Sequence, residues 1–136
     1  MRRDRPDVEL LLAPGNDGSG LLGERLAIDV GDFGGLIGLA RARQVGLTVV
    51  SPEAPLAGGI GDAFVEAGLR LFGPSRAAAE IEASKAWAKG FMSRQGIPTA
   101  RFFTCSTLAE LSEALTAFAT PPVIKDDALA GGKGVT

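Results

Sequence analysis

The sequence predicts an α/β fold built on parallel strands, and three observations predict it. Short β-rich apolar runs alternate with segments of helical periodicity. The connections between them are brief and rich in glycine and proline. Aromatic residues make up only 6% of the 136 residues while glycine occurs 19 times, a composition suited to many tight turns. Strands alternating with helices in this way build a parallel sheet covered by crossover helices. Ligands of such sheets sit outside the carboxyl ends of the strands, so the turns at those ends are where function is sought.

Val8 to Ala13 reads as a buried strand ended by the tight turn Pro14-Gly15-Asn16, and Asp17-Gly18-Ser19-Gly20 continues that loop. Leu26-Ala27-Ile28 is a second short strand. Asp32 is a plausible N-cap for a helix whose apolar residues fall at Phe33, Leu36, Ile37 and Ala40. Leu47 to Val50 is the next β-rich run, ending in the loop Ser51 to Leu56. A glycine-rich helix follows with Ile60, Ala63, Phe64 and Ala67 on one face, stopped by Gly68. Leu69 to Phe72 is a further strand closed by Gly73-Pro74. Three polar turns, Pro14-Gly15-Asn16, Pro52-Glu53 and Gly73-Pro74-Ser75, therefore fall at strand carboxyl ends.

The organisation changes after Gly73, which divides the chain into domains 1–74 and 75–136. Ala77 to Ala83 is alanine-rich, and Ser84 to Gln95 is a helix with Trp87, Ala88, Phe91 and Met92 on one face, read as core. Gly96 caps it and Pro98 blocks its continuation. Phe102-Phe103-Thr104 is a short strand candidate. Thr107 to Glu110 has the capping-box pattern and opens a helix with Leu108, Leu111, Leu115 and Phe118 as its apolar face. Val123-Ile124, after Pro121-Pro122, reads as a buried strand that delivers Lys125 to its end.

Composition excludes several function classes. Hydrophobic residues are 46% and charged residues 22%, which is ordinary for a globular chain. The formal net charge of −2 gives no electrostatic support for nucleic-acid binding. Asp4 dilutes the Arg2, Arg3, Arg5 group, which reads as a solvated tail. With one cysteine and no histidine, an internal disulfide, a Cys/His metal site and a histidine general base are all excluded. Cys105 reads as a small buried or half-buried residue. Any metal would need oxygen ligands, which favours magnesium or manganese. No run reaches transmembrane length and no signal-peptide core follows the arginines, so no membrane partner and a cytoplasmic setting are expected.

The last stretch carries the most chemistry. Gly131, Gly132 and Gly134 lack a β-carbon, so backbone N–H groups there can approach an anion closely. Lys133 adds a mobile point charge and Lys125 a second cation at the strand end. The spacing is not that of a Walker A loop. From the segment alone two readings stand, an oligophosphate cradle and a solvated turn.

Taken together, the pieces resemble the phosphoribosylamine–glycine ligase (glycinamide ribonucleotide synthetase) family of ATP-grasp enzymes. They are Ala13-Pro14-Gly15-Asn16, Pro52-Glu53-Ala54-Pro55-Leu56, Phe72-Gly73-Pro74, SKAWAKGFMSRQGIPTA at Ser84–Ala100, and VIKDDALAGGKGV at Val123–Val135. They occur in family order and span nearly the whole chain. The resemblance implies a pre-ATP-grasp, Rossmann-like substrate domain over 1–74 lacking its first strand, and the beginning of an ATP-grasp nucleotide-binding domain over 75–136.

It further implies ligation of glycine to 5-phosphoribosylamine through a glycyl phosphate, with ATP and magnesium or manganese, in purine synthesis. Lys85 and Lys125 would be the nucleotide-phosphate lysines, with Gly131, Gly132, Lys133 and Gly134 the loop closing over the phosphates. Glu53 and Asn16 would line the phosphoribosyl pocket. No catalytic residue and no metal ligand is assignable in this chain. Without the resemblance, Lys85 reads as an ordinary exposed helix lysine, and Glu53 reads also as a plain loop carboxylate.

The family has a further strand ahead of the part matched by Met1 and continues well past Thr136. The resemblance thus implies an N-terminal fragment, inactive alone, with the remainder of the enzyme as its missing partner and marginal stability or association in isolation. Asp126 and Ala128 stand where the family usually has a small residue and a glycine, which would weaken phosphate binding and restrict the backbone. A non-catalytic nucleotide or sugar-phosphate binding module, or another ATP-grasp carboxylate–amine ligase, is the competing reading.

Overall fold

The computed structural model describes residues 5–129. The chain divides into two compact units, Met1–Arg76 and Ala77–Thr136.

In the first unit, β1 (Leu11–Leu12) pairs in parallel with β2 (Glu24–Arg25), and β3 (Thr48–Val49) pairs in parallel with β4 (Leu71–Phe72). The parallel pairing follows the expectation, but it is split between two short ladders rather than one sheet. The second strand lies two residues earlier than Leu26–Ile28. The Leu26 amide still bonds the Leu12 carbonyl, but the Ile28 amide turns back onto the Leu26 carbonyl and ends the extension. Arg43 ties this ladder to the helix behind it, holding Glu9 at 2.6 Å and Glu24 at 2.7 Å.

Two segments expected as loops are helical. Residues Asp17–Gly20 form a single turn, α1, because Asn16 and Ser19 cap one another reciprocally. Residues Glu53–Gly58 form α3, entered through Pro52 in extended conformation. Gly59, at φ 96°, breaks the run and starts α4 (Ile60–Glu66), which is the helix the sequence predicts after that loop. Between α1 and α3 in sequence order, α2 (Phe33–Ala42) starts at its Asp32 cap as the sequence predicts.

The core of this unit is Ala40, Leu56, Ile60 and Phe64, with Phe64 wholly enclosed. Helix α4 packs against α2, α3 and β4, so its buried face organises the unit. Gly61 lets α4 approach the backbone after β4: a Cβ there would lie 2.5 Å from the Pro74 carbonyl oxygen. Gly38, mid-way along α2, has nothing within 4 Å of the same construction. Gly38→Ala is therefore expected to stabilise by roughly 0.5–1 kcal/mol, through helix propensity alone. Gly61→Ala, an equal gain in propensity, is expected to destabilise by about 1–3 kcal/mol, because backbone rather than a flexible side chain must move. Urea unfolding of the two variants checks the pair, and equal shifts would remove the argument for close approach at Gly61.

The second unit holds α5 (from its Arg76 start to Ala83), α6 (Lys85–Arg94) and α7 (Leu108–Thr116). Ser84 caps α6 and Thr107 caps α7, the latter with Glu110 reaching back to the Ser106 amide at 2.6 Å. Beyond α6, Gly96 at φ 65° lets the Ile97 amide bond the Met92 carbonyl.

Several sequence expectations fail here. Trp87 is not core: it is exposed and stacks on Phe91 at 5.4 Å. On α7 Leu108 is 85% exposed, and Ala114 is the buried residue of the face. Phe102–Thr104 forms no strand; Phe103 instead meets Phe118 edge to face, with the Arg101 guanidinium over both rings. Val123–Ile124 is not a buried strand either. Both residues are exposed and the segment shows only an isolated bridge at Lys125. The described residues give it no adjacent strand to pair with along its length, and apolar content alone does not make a ladder.

Candidate functional site at the start of α6 and the segment before the glycine loop

The first amides of a helix have no intrahelical partner, and a serine at the N-cap satisfies one of them. In α6 the Ser84 hydroxyl accepts from the Trp87 amide at 3.0 Å and donates to the Asp127 carboxylate. That same carboxylate accepts from the Ala86 amide at 2.9 Å. The Lys85 ammonium donates to the Ala128 carbonyl at 2.8 Å. Residues more than 40 positions apart in sequence are thereby clasped at one helix start.

The Ala86 amide holds the Asp127 carboxyl below the ordinary carboxylate range; partial burial opposes this, and the Ser84 hydroxyl, the Lys85 amide and the Lys85 charge add to it. A depressed folded value means that the clasp's stabilisation is fully present above the unfolded value. It is lost only as pH falls through the lower folded one. The Ala86 amide resonance is therefore expected to titrate with a midpoint below 3.8, the ordinary value for this group. A midpoint at or above it would contradict the clasp.

Of the residues singled out in the sequence, Lys85 and the 125–129 segment are brought together. Lys125 itself is exposed, as is Asp126. Ala128 is not among the residues of positive φ, so its backbone does not require a glycine. Gly131, Gly132, Lys133 and Gly134 lie outside the described residues. Asp127 was missed by sequence reasoning, because its partners are 41 and 43 residues away and no local pattern marks it.

In the first unit, Asn16 uses its side-chain oxygen to cap α1 through the Ser19 amide at 2.8 Å. Glu53 is the exposed first residue of α3. Because β3 and β4 run parallel in register, the turn carrying Glu53 and the Gly73-Pro74-Ser75 turn lie at the same carboxyl edge. Among the described residues, no group of three or more acids is placed to hold a metal ion, so these residues do not fit a divalent site. No described helix is long and apolar enough to cross a membrane.

Comparison with known families decides the relationship. The N domain of phosphoribosylglycinamide synthetase matches residues 2–82, and the ATP-grasp (A) domain of the same enzyme matches residues 83–136. The chain belongs to the phosphoribosylglycinamide synthetase family. It is 49% identical over 131 residues to a phosphoribosylamine–glycine ligase of Streptomyces coelicolor, covering 96% of this chain and 32% of that protein. The corresponding ligase of Haemophilus influenzae is 46% identical over 132 residues, covering 93% and 30%. The crystal structure of the Thermotoga maritima ligase superposes with a TM-score of 0.72 at 31% identity, over 97% of this chain and 30% of that one. N5-carboxyaminoimidazole ribonucleotide synthetase from Thermus thermophilus, at 21% identity and a TM-score of 0.73 over 98% of this chain and 35% of that one, shares the fold. The chain spans about a third of the length of the curated relatives it matches.

Proposed function

We propose that this chain supplies part of an ATP-dependent ligase joining glycine to 5-phosphoribosylamine in purine biosynthesis. The observation that carries the reading is the Lys85 ammonium seated at the Ala128 carbonyl, immediately ahead of the Gly131-Gly132-Lys133-Gly134 run. A carboxylate is a poor electrophile at neutral pH. ATP, when bound, would supply its γ-phosphoryl group to the glycine carboxylate and leave as ADP, and attack of the phosphoribosylamine nitrogen on the activated carbonyl would form the amide with loss of phosphate and a proton.

The protein's task in such chemistry is to position the reactants and neutralise phosphate charge, not to exchange protons. A chain without histidine and with lysines around a glycine loop suits that task. Lys85 and Lys125 bind phosphate oxygens, and the loop amides with Lys133 close over them. In the first unit Glu53 accepts from ribose hydroxyls, and Asn16 keeps its side-chain NH2 for the phosphoribosyl group while its oxygen caps α1. Magnesium or manganese accompanies the nucleotide, with no described residue assigned to it. The reaction is placed in the cytoplasm, without nucleic-acid or membrane partners.

The experiment measures phosphate release from ATP by this chain joined to the remaining two-thirds of a relative. Release that requires both glycine and 5-phosphoribosylamine supports the reading. ATP binding by the chain with no such release in the joined protein would favour a binding module instead.

A further inference from the structure

The Asp127 carboxylate occupies the amide end of α6, and the carbonyl of the next residue holds Lys85. We propose that Asp127 is a positioning residue, fixing the segment that leads into the glycine loop against α6 and setting where the Lys85 ammonium stands. The inference deepens the nucleotide reading given above and rests on it for the ligand.

Four contacts carry it. The Ser84 hydroxyl lies 3.1 and 3.0 Å from the two carboxylate oxygens, the Ala86 amide 2.9 Å from one of them, and the Lys85 ammonium 2.8 Å from the Ala128 oxygen. The carboxylate thus sits where an anion is favoured, at exposed amides of a helix start. Among the described residues the neighbouring Asp126 makes no comparable contact and is exposed, so one acid of the pair is anchored and the other is not. Lys85 meets the 125–129 segment at the Ala128 carbonyl, one residue on from the anchored Asp127. A ligand phosphate that recruits Lys85 therefore finds an ammonium held at the Ala128 carbonyl rather than one free to swing through solvent, and preorganisation of this kind raises affinity.

The test uses the whole chain with Asp127→Ala and the milder Ser84→Ala, read by hydrogen exchange and by ATP calorimetry. Asp127→Ala is expected to speed exchange of the Ala86 amide and of peptides spanning 125–129 on the order of tenfold, leaving α7 unchanged. Ser84→Ala is expected to act in the same direction and less. ATP binding should weaken on the order of tenfold in Asp127→Ala. Adding Lys85→Ala to that variant should cost less than Lys85→Ala costs alone, because the two act through one another. A cap that merely stabilised the helix would give additive losses, and additivity overturns the proposal. Unchanged exchange at 125–129 overturns it whatever ATP does. Faster exchange in a chain whose wild type binds no ATP upholds the anchoring and removes the nucleotide reading.

Discussion

Phe64→Ala is expected to remove most of the stability of the first unit. The ring is 0% exposed, and it lies on the helix that packs against α2, α3 and β4 at once. Truncating a buried phenylalanine costs about 3–5 kcal/mol, the lost transfer free energy plus the cavity left behind. Among the described residues of that unit, few apolar side chains, Ala40, Pro55, Leu56 and Ile60, are as enclosed, so few neighbours are available to collapse into the space. Against a total stability of about 5–15 kcal/mol for an ordinary domain, such a loss leaves a substantial unfolded population. Val65→Ala, one residue on and 73% exposed, is expected to shift stability by less than about 0.5 kcal/mol. Urea titration followed by far-UV circular dichroism separates the two. A Phe64→Ala loss under 1 kcal/mol would mean that the unit is not organised around α4.

The elements legible in the sequence are those whose signals are local. Asp32, Ser84 and Thr107 each accept a backbone amide three residues on, and each marks a helix start that the sequence predicts. The β3 and β4 runs pair in parallel as their β-rich character and the helical crossover between them require. The signals that misled were composition signals. Glycine in Asp17–Gly20 and proline in Glu53–Gly58 read as loop, yet a reciprocal Asn16–Ser19 cap and a proline-led entry make helices of both.

Burial is the other gap. Leu108, Trp87 and Val123 are apolar at plausible periodicity and stand exposed, since periodicity names a face without saying what covers it. At the candidate site, the lysines and the glycine run were legible as residue types. The clasp between Ser84, Ala86 and Asp127 was not, because no window of sequence contains both of its halves.

If the ammonium groups of Lys85 and Lys125 meet nucleotide phosphates, each contributes a charge-assisted hydrogen bond worth about 1.5–3 kcal/mol. Lys85→Ala and Lys125→Ala are then each expected to weaken ATP binding by roughly ten- to a hundredfold. Neither should cost much stability. Lys125 is exposed, and removing the Lys85 ammonium leaves the Ala128 carbonyl on an exposed residue where water replaces the bond, while the Ser84 and Asp127 contacts remain. Binding loss without unfolding separates a ligand role from the ordinary helix-lysine role that Lys85 could equally fill. Arg94→Ala serves as the control: it removes the same charge from the far end of α6, and screening should hold its effect on ATP affinity below about twofold. Calorimetry at two salt concentrations completes the comparison, since direct phosphate contacts keep more of their effect at high salt than a diffuse field does. Should all three variants weaken ATP equally, the chain would be sensing net charge and not two placed cations.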